Sequence, residues 1–333
     1  MRKVVLTLIL LLISISQAWS ACRASFSNAS PSLGTQVSSF VLNTTEQSTT
    51  LNLLLDCDTT LTLLTNDSAT LTAITPTAFV GDRAVMKRTD VTTSTDTIAF
   101  KLCGVNPCTA AGEVTRIQGY TWTGGVLLTL LGAKRYTLPL YLRTVTGQTV
   151  SAGTYQGVMT LNLYYSMCAE GLIGCSNNQV GNLPLTLTVN MTVSNDCTAI
   201  SAPAVAFGSA PVAKSFPTIS QSIGVTCTKG YAYTVGINNG NNANGTQRRM
   251  ASGTTNRLSY EIYKGSTTSR WGSTGSERWA SAISSAVSSD GTLRTSNYTA
   301  QVLPTPTTPP GGTYRSDERR AGKGRRSRSS PYS

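Results

Sequence analysis

The chain has 333 residues, with 27 lysines and arginines, 15 aspartates and glutamates, eight cysteines and no histidine. Without histidine there is no Ser-His-Asp triad, no histidine-ligated metal and no imidazole acid–base chemistry. The length allows about two domains, each with its own core. Charged residues are 13 % and apolar residues 40 %, which excludes a disordered chain and, with many Ser, Thr, Asn and Gly residues, favours a globular β protein.

The N-terminus has the pattern of a secretory signal peptide. Two basic residues precede the apolar run Val4–Ile15, and small residues suit cleavage after Ser20. The run is too short for a comfortable transmembrane helix. We therefore predict a signal peptide over 1–20. Lipidation at Cys22 is the weaker alternative, because Trp19 stands where a lipidation box has an aliphatic residue.

Export suggests that the eight cysteines form four disulfides. Two pairs are widely spaced, and each opens a β-rich stretch, whereas two pairs are close enough to staple single loops. Zinc has little support without histidine or a CxxC pair. The inferred pairs are Cys22–Cys57, Cys103–Cys108, Cys168–Cys175 and Cys197–Cys227.

The chain repeats one design twice. Each copy opens on a cysteine, reaches its second cysteine after an alternating segment and later contains Gly-Thr-Tyr, at Gly153–Tyr155 and at Gly312–Tyr314. Short alternating segments separated by Gly, Asn and Pro predict antiparallel strands. We predict an all-β protein of two antiparallel β-sandwich domains, the N-terminal one over 21–194 and the C-terminal one over 195–314.

The copies diverge after Gly-Thr-Tyr. The first continues into strand-like segments at 158–165 and 185–193, whereas the second enters a basic tail, 315–333, with seven basic and two acidic residues. A sandwich without its last strand exposes a groove that another chain can fill. We read the tail as a solvated end. It could also bind nucleic acid or anionic membranes, but its arginines lack the interleaved aromatics of a nucleic-acid site, so no nucleic-acid partner is predicted.

Several short motifs of the second copy occur in a characteristic order. They are Phe207–Gly208, Arg249–Met250, Leu258–Tyr263, Trp271–Gly272 and Gly312–Tyr314. Together they resemble the spore coat protein U domain, and the resemblance covers nearly all of 197–314 and, more faintly, 22–193. That family builds subunits of archaic chaperone–usher pili, and two such domains behind one signal peptide resemble the tip adhesins of Csu-type pili.

The resemblance implies a function and a set of partners. The N-terminal domain would be a complete sandwich that binds hydrophobic or host surfaces and so supports attachment and biofilm formation. Both sandwiches would be immunoglobulin-like, and the C-terminal one would be an incomplete pilin domain that receives a donated strand. The implied partners are a periplasmic chaperone, an outer-membrane usher and the next pilin subunit, and the implied location is the pilus tip at the cell surface, reached through the periplasm. A mature chain beginning at Ala21, with Cys22 tied in a disulfide, would have no segment to donate.

The sequence departs from the family after Tyr314. The resemblance implies an alternating Val/Thr strand there, but the chain continues with Arg315–Arg320. One hypothesis is a frameshift near codon 315, and the alternative is a genuine divergent tail.

No enzyme constellation is present, since the carboxylates of the first copy are scattered and the Gly-Gly pairs do not lead from a strand into a helix. We predict no enzyme activity, no cofactor and no metal. The predicted binding residues are apolar side chains of the first copy: Leu172 and Ile173 at the tip of a stapled loop, Met167 beside it, Tyr120 and Trp122 in a glycine-flanked segment, and Ile74 and Phe79 in a third segment.

Three alternatives remain open. Trp122, Phe79, Leu172 and Ile173 could pack inside the sandwich instead of binding a surface. The chain could be a minor structural pilin or a secreted coat-like protein without adhesive activity. It could also be a lectin-like glycan binder, for which Tyr120 and Trp122 would supply an aromatic platform.

Overall fold

The computed structural model describes residues 22–57, 66–123, 134–170, 174–281, 293–305, 307, 309–316 and 320–322. The predicted signal peptide lies outside these residues. Within them, no helix has both the length and the apolar character needed to cross a membrane. The predicted all-β class with antiparallel sheets is confirmed.

The chain divides into two compact units, of which the first holds most of the first copy and the second holds the second copy together with two short segments of the first. Among the described residues, the first unit comprises 22–34, 46–145 and 155–191, and the second comprises 35–45, 146–154 and the residues from 192 onward. The change of unit at 192 falls close to the predicted boundary at 194. Two short segments that precede this boundary nevertheless belong to the second unit, where Ser39 Oγ lies 3.0 Å from Thr228 Oγ1.

The described part of the first copy contains twelve strands and one short helix, α1. Ser38 caps the helix, its side chain accepting a hydrogen bond from the Phe40 backbone N–H at 3.3 Å. The elements are β1 (Arg23–Phe26), β2 (Val37–Ser38), α1 (Ser39–Thr44), β3 (Ser48–Cys57), β4 (Ser68–Pro76), β5 (Phe79–Val80), β6 (Arg83–Arg88), β7 (Thr97–Cys103), β8 (Glu113–Val114), β9 (Tyr120–Thr123), β10 (Lys134–Thr144), β11 (Gly153–Glu170) and β12 (Asn177–Ser194).

The twelve strands form one hydrogen-bonded network, in the order β1-β3-β10-β7-β6-β11-β12-β2. Strand β4 lies between β11 and β9, while β5 pairs with β6 and β8 with β7. Strand β6 joins the two halves of the network because it pairs with both β7 and β11. The pairing is antiparallel along β3, β10 and β7 and along β4 and β11, whereas β2 runs parallel to β12.

Strict alternation builds the core of the first copy. In β3, Leu51, Leu53 and Leu55 are buried while the residues between them are exposed or half-buried. Successive side chains of a strand point to opposite faces, so one apolar residue in two is enough to cover the core. The same pattern buries alternate residues of β10, β11 and β12: Tyr136, Leu138, Leu140, Leu142, Met159, Leu161, Leu163, Tyr165, Leu187, Val189, Met191 and Val193.

The second copy forms two smaller antiparallel sheets. One has the order β13-β14-β19-β17-β16, and the other has the order β18-β15-β20. Its strands are β13 (Cys197–Ser201), β14 (Ile219–Cys227), β15 (Thr234–Ile237), β16 (Arg248–Ser252), β17 (Asn256–Lys264), β18 (Trp279–Ala280), β19 (Leu293–Val302) and β20 (Arg320–Gly322). The sequence predicted no strand in the basic tail, and this prediction is wrong for β20, which pairs with β15.

The cysteines pair as the spacing suggested. The structure links Cys22 to Cys57, Cys103 to Cys108, Cys168 to Cys175 and Cys197 to Cys227. The first and last bridges join neighbouring antiparallel strands, β1 to β3 and β13 to β14. Each copy therefore begins with a strand fastened covalently to the next one.

A buried ion network holds the second copy together around Arg248. This guanidinium is fully buried and donates to the carbonyl oxygens of Ile237 and Trp271, both at 2.7 Å, and to the carboxylate of Glu261. The other oxygen of Glu261 accepts from Arg270 at 2.8 Å. Because a buried charge is costly without partners, these bonds fix the end of β15 against β16, β17 and the segment around Trp271.

An aromatic cluster packs beside this network. The indole ring of Trp271 is completely buried and meets Trp279 and Tyr298 edge to face, with centroids 4.9 and 5.7 Å away. Its Nε1 donates to the carbonyl oxygen of Val235 at 2.9 Å. Strand β15 is thus bonded through its carbonyls to side chains from other parts of the same unit.

We expect Arg248→Lys to lower the free energy of unfolding of the second unit by about 3 kcal/mol, because a lysine cannot reach two carbonyls and a carboxylate together. Urea unfolding followed by the fluorescence of Trp271 and Trp279 measures the change. Arg257→Lys is the matched control, since Arg257 donates only to the local carbonyls of Gly253 and Asn256 among its described contacts. Equal losses in both variants would contradict the role given to Arg248.

Candidate surface-binding site

One end of the first copy gathers the ends of six strands. The register places Lys134 opposite Cys57, and Ser68 opposite both Thr123 and Ser166. The chain leaves and re-enters the sheets here through the segments 58–65, 124–133 and 171–173, which lie outside the described residues. We call this end the loop pole, bounded by Cys57, Ser68, Thr123, Lys134, Glu170 and Asn177.

A buried carboxylate joins the two sides of the loop pole. Asp67 is 6 % exposed. Its Oδ1 accepts the backbone N–H of Cys168 at 2.8 Å, and its Oδ2 accepts the hydroxyl of Tyr136 at 3.3 Å. Hydrogen bonds to a carboxylate are among the stronger polar interactions in proteins. Asp67, which directly precedes β4, is therefore bonded to β10 through Tyr136 and to the C-terminal end of β11 through Cys168.

The disulfide at the loop pole has one deep end and one exposed end. Cys168 is 1 % exposed and Cys175 lies at the surface. The disulfide therefore joins a core residue of β11 to a residue at the surface. The predicted contact residues Leu172 and Ile173 fall in the segment outside the described residues.

Two of the predicted contact residues belong to the core instead. Met167 is completely buried and Trp122 is 3 % exposed, so the prediction that they contact a surface is wrong. Both follow the two-residue period of a strand: Trp122 lies in β9 opposite Ala69, and Met167 continues the inward face of β11. For Trp122, the alternative of packing inside the sandwich is the correct one.

Tyr120 is half-buried and packs beside Trp122. The two rings meet edge to face with centroids 5.0 Å apart. A Cβ on Gly104 would lie only 2.0 Å from Cδ1 of Tyr120, so the ring lies directly over the backbone next to Cys103. Tyr120 therefore packs against Trp122 and the backbone at Gly104 and remains partly exposed.

The third predicted segment is not at the loop pole. Ile74 lies within β4, at a shift of register against β11, and not in a loop. Phe79 is 43 % exposed and lies in β5, beyond the other end of β4, with the guanidinium of Arg116 4.6 Å from its ring centroid. The two ends of β4 are about 26 Å apart at the usual rise of a strand, so Phe79 does not join the loop pole.

Two apolar segments were not predicted as binding residues. Leu61–Leu64 and Val126–Leu131 each fall between two strands whose described ends lie at the loop pole, and the second has five apolar residues among six. The signal available in the sequence was a run of leucines between two strands, which in the second segment follows Gly124–Gly125.

An exposed ion pair lies next to the loop pole, and its two charges neutralise each other. Asp56 and Arg135 meet at 2.6 Å on the sheet surface, and this hydrogen bond raises the pKa of Arg135. Across the described ranges, no group of three His, Cys, Asp or Glu residues is placed to hold a metal ion. The described polar groups of this end include the exposed Asp56–Arg135 pair and the buried Asp67, and the apolar residues of its connecting segments lie outside the described residues.

Comparison with known proteins identifies the family. A family model, the spore coat protein U domain, matches residues 8–162 and 184–317. The chain therefore belongs to the spore coat protein U domain family, which confirms the resemblance found in the sequence. No match to a curated protein sequence was found.

Two solved structures, among others, are similar to this chain. One chain of the complex between the chaperone CsuC and the tip adhesion subunit CsuE, from the archaic chaperone–usher Csu pili of Acinetobacter baumannii, is 23 % identical, with a TM-score of 0.57 over 91 % of this chain and 99 % of that one. The CupB6 tip adhesin of Pseudomonas aeruginosa is 13 % identical, with a TM-score of 0.40 over 91 % of this chain and 93 % of that one. At its level of identity, the first likeness establishes a common fold.

We expect Asp67→Ala to lower the free energy of unfolding by about 2 to 3 kcal/mol, because it leaves the buried N–H of Cys168 and the hydroxyl of Tyr136 without their acceptor. Thermal unfolding measures the loss, and hydrogen exchange at Cys168 and Ala169 should accelerate. Asp56→Ala is the control, because an exposed ion pair contributes about 0 to 1 kcal/mol. A change at Asp67 no larger than at Asp56 would contradict its anchoring role.

Proposed function

We propose that the protein is the tip subunit of an archaic chaperone–usher pilus and that it attaches the pilus to surfaces through apolar loops at the loop pole. The observation that carries this proposal is that several described strand ends meet at one end of the sandwich and that the sequence between them is apolar in three places. Leu61–Leu64, Val126–Leu131 and Leu172–Ile173 all bridge strand ends there. Family membership and the fold shared with the CsuC–CsuE complex support the same reading.

Apolar loops need a rigid base to bind tightly. Burial of about 100 Å² of apolar surface per loop would contribute about 2.5 kcal/mol each, before the cost of ordering the loops. The Cys168–Cys175 bridge and the Asp67 hydrogen bonds reduce that cost because they fix the loop roots. Trp122 and Met167 are buried in the core under the loop pole. In this proposal they support the loops by packing and do not contact the bound surface.

The second copy provides the connection to the pilus in this proposal. A periplasmic chaperone, and then the next pilin subunit, would supply a strand to its incomplete sandwich. The third partner would be an outer-membrane usher. The complex of chaperone and tip subunit among the structures with this fold supports the chaperone as a partner. The protein would reach the cell surface through the periplasm, where the disulfides form.

We expect the double substitution Leu172→Ser and Ile173→Ser to reduce attachment to polystyrene, by up to about 2.5 kcal/mol of adhesion free energy, because it removes the apolar share of one loop. Retention of beads coated with the full chain measures attachment, and thermal unfolding checks that the fold is intact. Ile117→Ser is the matched control, since Ile117 is 77 % exposed in the same unit but outside the loop pole.

The competing outcomes distinguish the candidate functions. Unchanged retention after the double substitution would contradict the loop pole as the contact surface. Loss of attachment in excess sugar, with the apolar loops intact, would indicate a lectin-like glycan binder. Absence of attachment by the unaltered chain to any tested surface would favour a structural pilin or coat-like protein.

A further inference from the structure

The basic tail forms a strand against β15. Strand β20 runs antiparallel to it, with Arg320 opposite Ile237, Ala321 opposite Gly236 and Gly322 opposite Val235. On its other side, β15 pairs with β18 through Thr234 and Val235. The tail thus closes the second edge of β15, which would otherwise present unpaired backbone groups.

The tail strand occupies the place that β11 occupies in the first copy. There, Leu161 follows Tyr155 of the Gly-Thr-Tyr motif by six residues, and Leu161–Leu163 pair antiparallel with Leu71–Ala73 of β4. Arg320 follows Tyr314 of the second Gly-Thr-Tyr by the same number of residues. The two copies therefore agree in spacing even though their sequences differ at these positions.

The tail is a poor replacement for β11. In the first copy, Leu161 and Leu163 are completely buried, and β4 pairs with β11 from Pro76 to Ser68. The tail offers an arginine and a glycine at the two corresponding register positions and pairs over three residues. Arginine and glycine lack the apolar side chains that Leu161 and Leu163 provide, so the described attachment of the tail to β15 is a backbone pairing over three residues.

Side chains substitute for the missing part of the strand. The carbonyl oxygen of Thr234 accepts from Arg278 Nη2 at 2.8 Å, and its hydroxyl accepts from Arg278 Nε at 2.7 Å. Strand β15 itself is apolar, with Val235 8 % and Ile237 3 % exposed. An apolar strand whose edge is covered by three tail residues and one arginine is an acceptor for a better strand.

We propose that β20 is a displaceable cover on the edge of β15 and that the partner of this edge is an extended segment with apolar residues at every second position. This inference rests on the proposed function in one respect, that the second unit receives a strand from another chain. It adds the edge that receives the strand and the segment of this chain that must leave. The tail then reduces the apparent affinity for the incoming strand in proportion to the fraction of molecules in which the edge is free of the tail.

A labelled peptide with the sequence Gly157–Tyr165 of β11 is a suitable probe, because it carries the alternation that the tail lacks. Fluorescence anisotropy gives its dissociation constant for four forms of the protein: the full chain, a chain ending at Ser316, a chain ending at Gly322 and the full chain with Ala321→Pro. The chain ending at Gly322 keeps β20 but loses four basic residues. The same peptide with aspartate in place of Leu161 and Leu163 controls for non-specific binding.

We expect the chain ending at Ser316 and the Ala321→Pro variant to bind the peptide about tenfold more tightly than the full chain, as occupancy of the edge by the tail in about nine molecules of ten would give. The chain ending at Gly322 should bind like the full chain. The aspartate peptide should bind none of them.

Three results would overturn the proposal. The first is a folded Ala321→Pro variant, checked by near-ultraviolet circular dichroism, that binds no more tightly than the full chain. The second is the same gain in the chain ending at Gly322, which would assign the effect to charge. The third is loss of folding in both variants that release β20, which would make it an integral strand. Attachment to polystyrene is a separate measurement, so a chain that fails it can still show this displacement.

Discussion

Every strand in a sheet has two edges of backbone N–H and C=O groups, and each edge must be paired, capped or exposed to water. The first copy meets this requirement along β4, which lies between β9 and β11. The second copy meets it along β15 with three side chains that cap carbonyls, a two-residue strand and a three-residue tail strand. The same design is thus completed by the chain itself in one unit and only provisionally in the other.

The polar groups in the two cores follow from the same requirement. Arg248 is buried in the second copy, where it donates to the carbonyl of Ile237 at the end of β15, and Glu261 balances its charge. Asp67 is buried in the first copy, where it accepts the N–H of Cys168 near the end of β11. Each polar group thus holds the end of one strand in place.

Alternation and cysteine spacing were sufficient to predict much of the fold. The all-β class, the two copies and the central strands follow from a two-residue period that buries one face, as in β3 and β12. The same period was available for Trp122 and Met167, whose neighbours Thr121 and Ser166 are polar, but the flanking glycines and cysteine drew attention to a loop. Phe79 is exposed, as a surface-binding residue must be. Its distance from the loop pole follows from the direction of β4, which composition does not encode. Strand β20 was missed because its residues are poor strand formers and acquire their place from an edge that is distant in sequence.

Hydrogen exchange on the full chain tests the central claim, that the first unit is complete and the second is provisionally closed. Amides of Leu71 and Thr72 in β4 should exchange only through global unfolding of their unit. The amide of Gly236 in β15 should exchange much faster, through release of β20 while its unit stays folded. Equal protection at Leu71 and Gly236, each at the level of global unfolding, would contradict the account, because the tail would then be a permanent strand and the second unit complete.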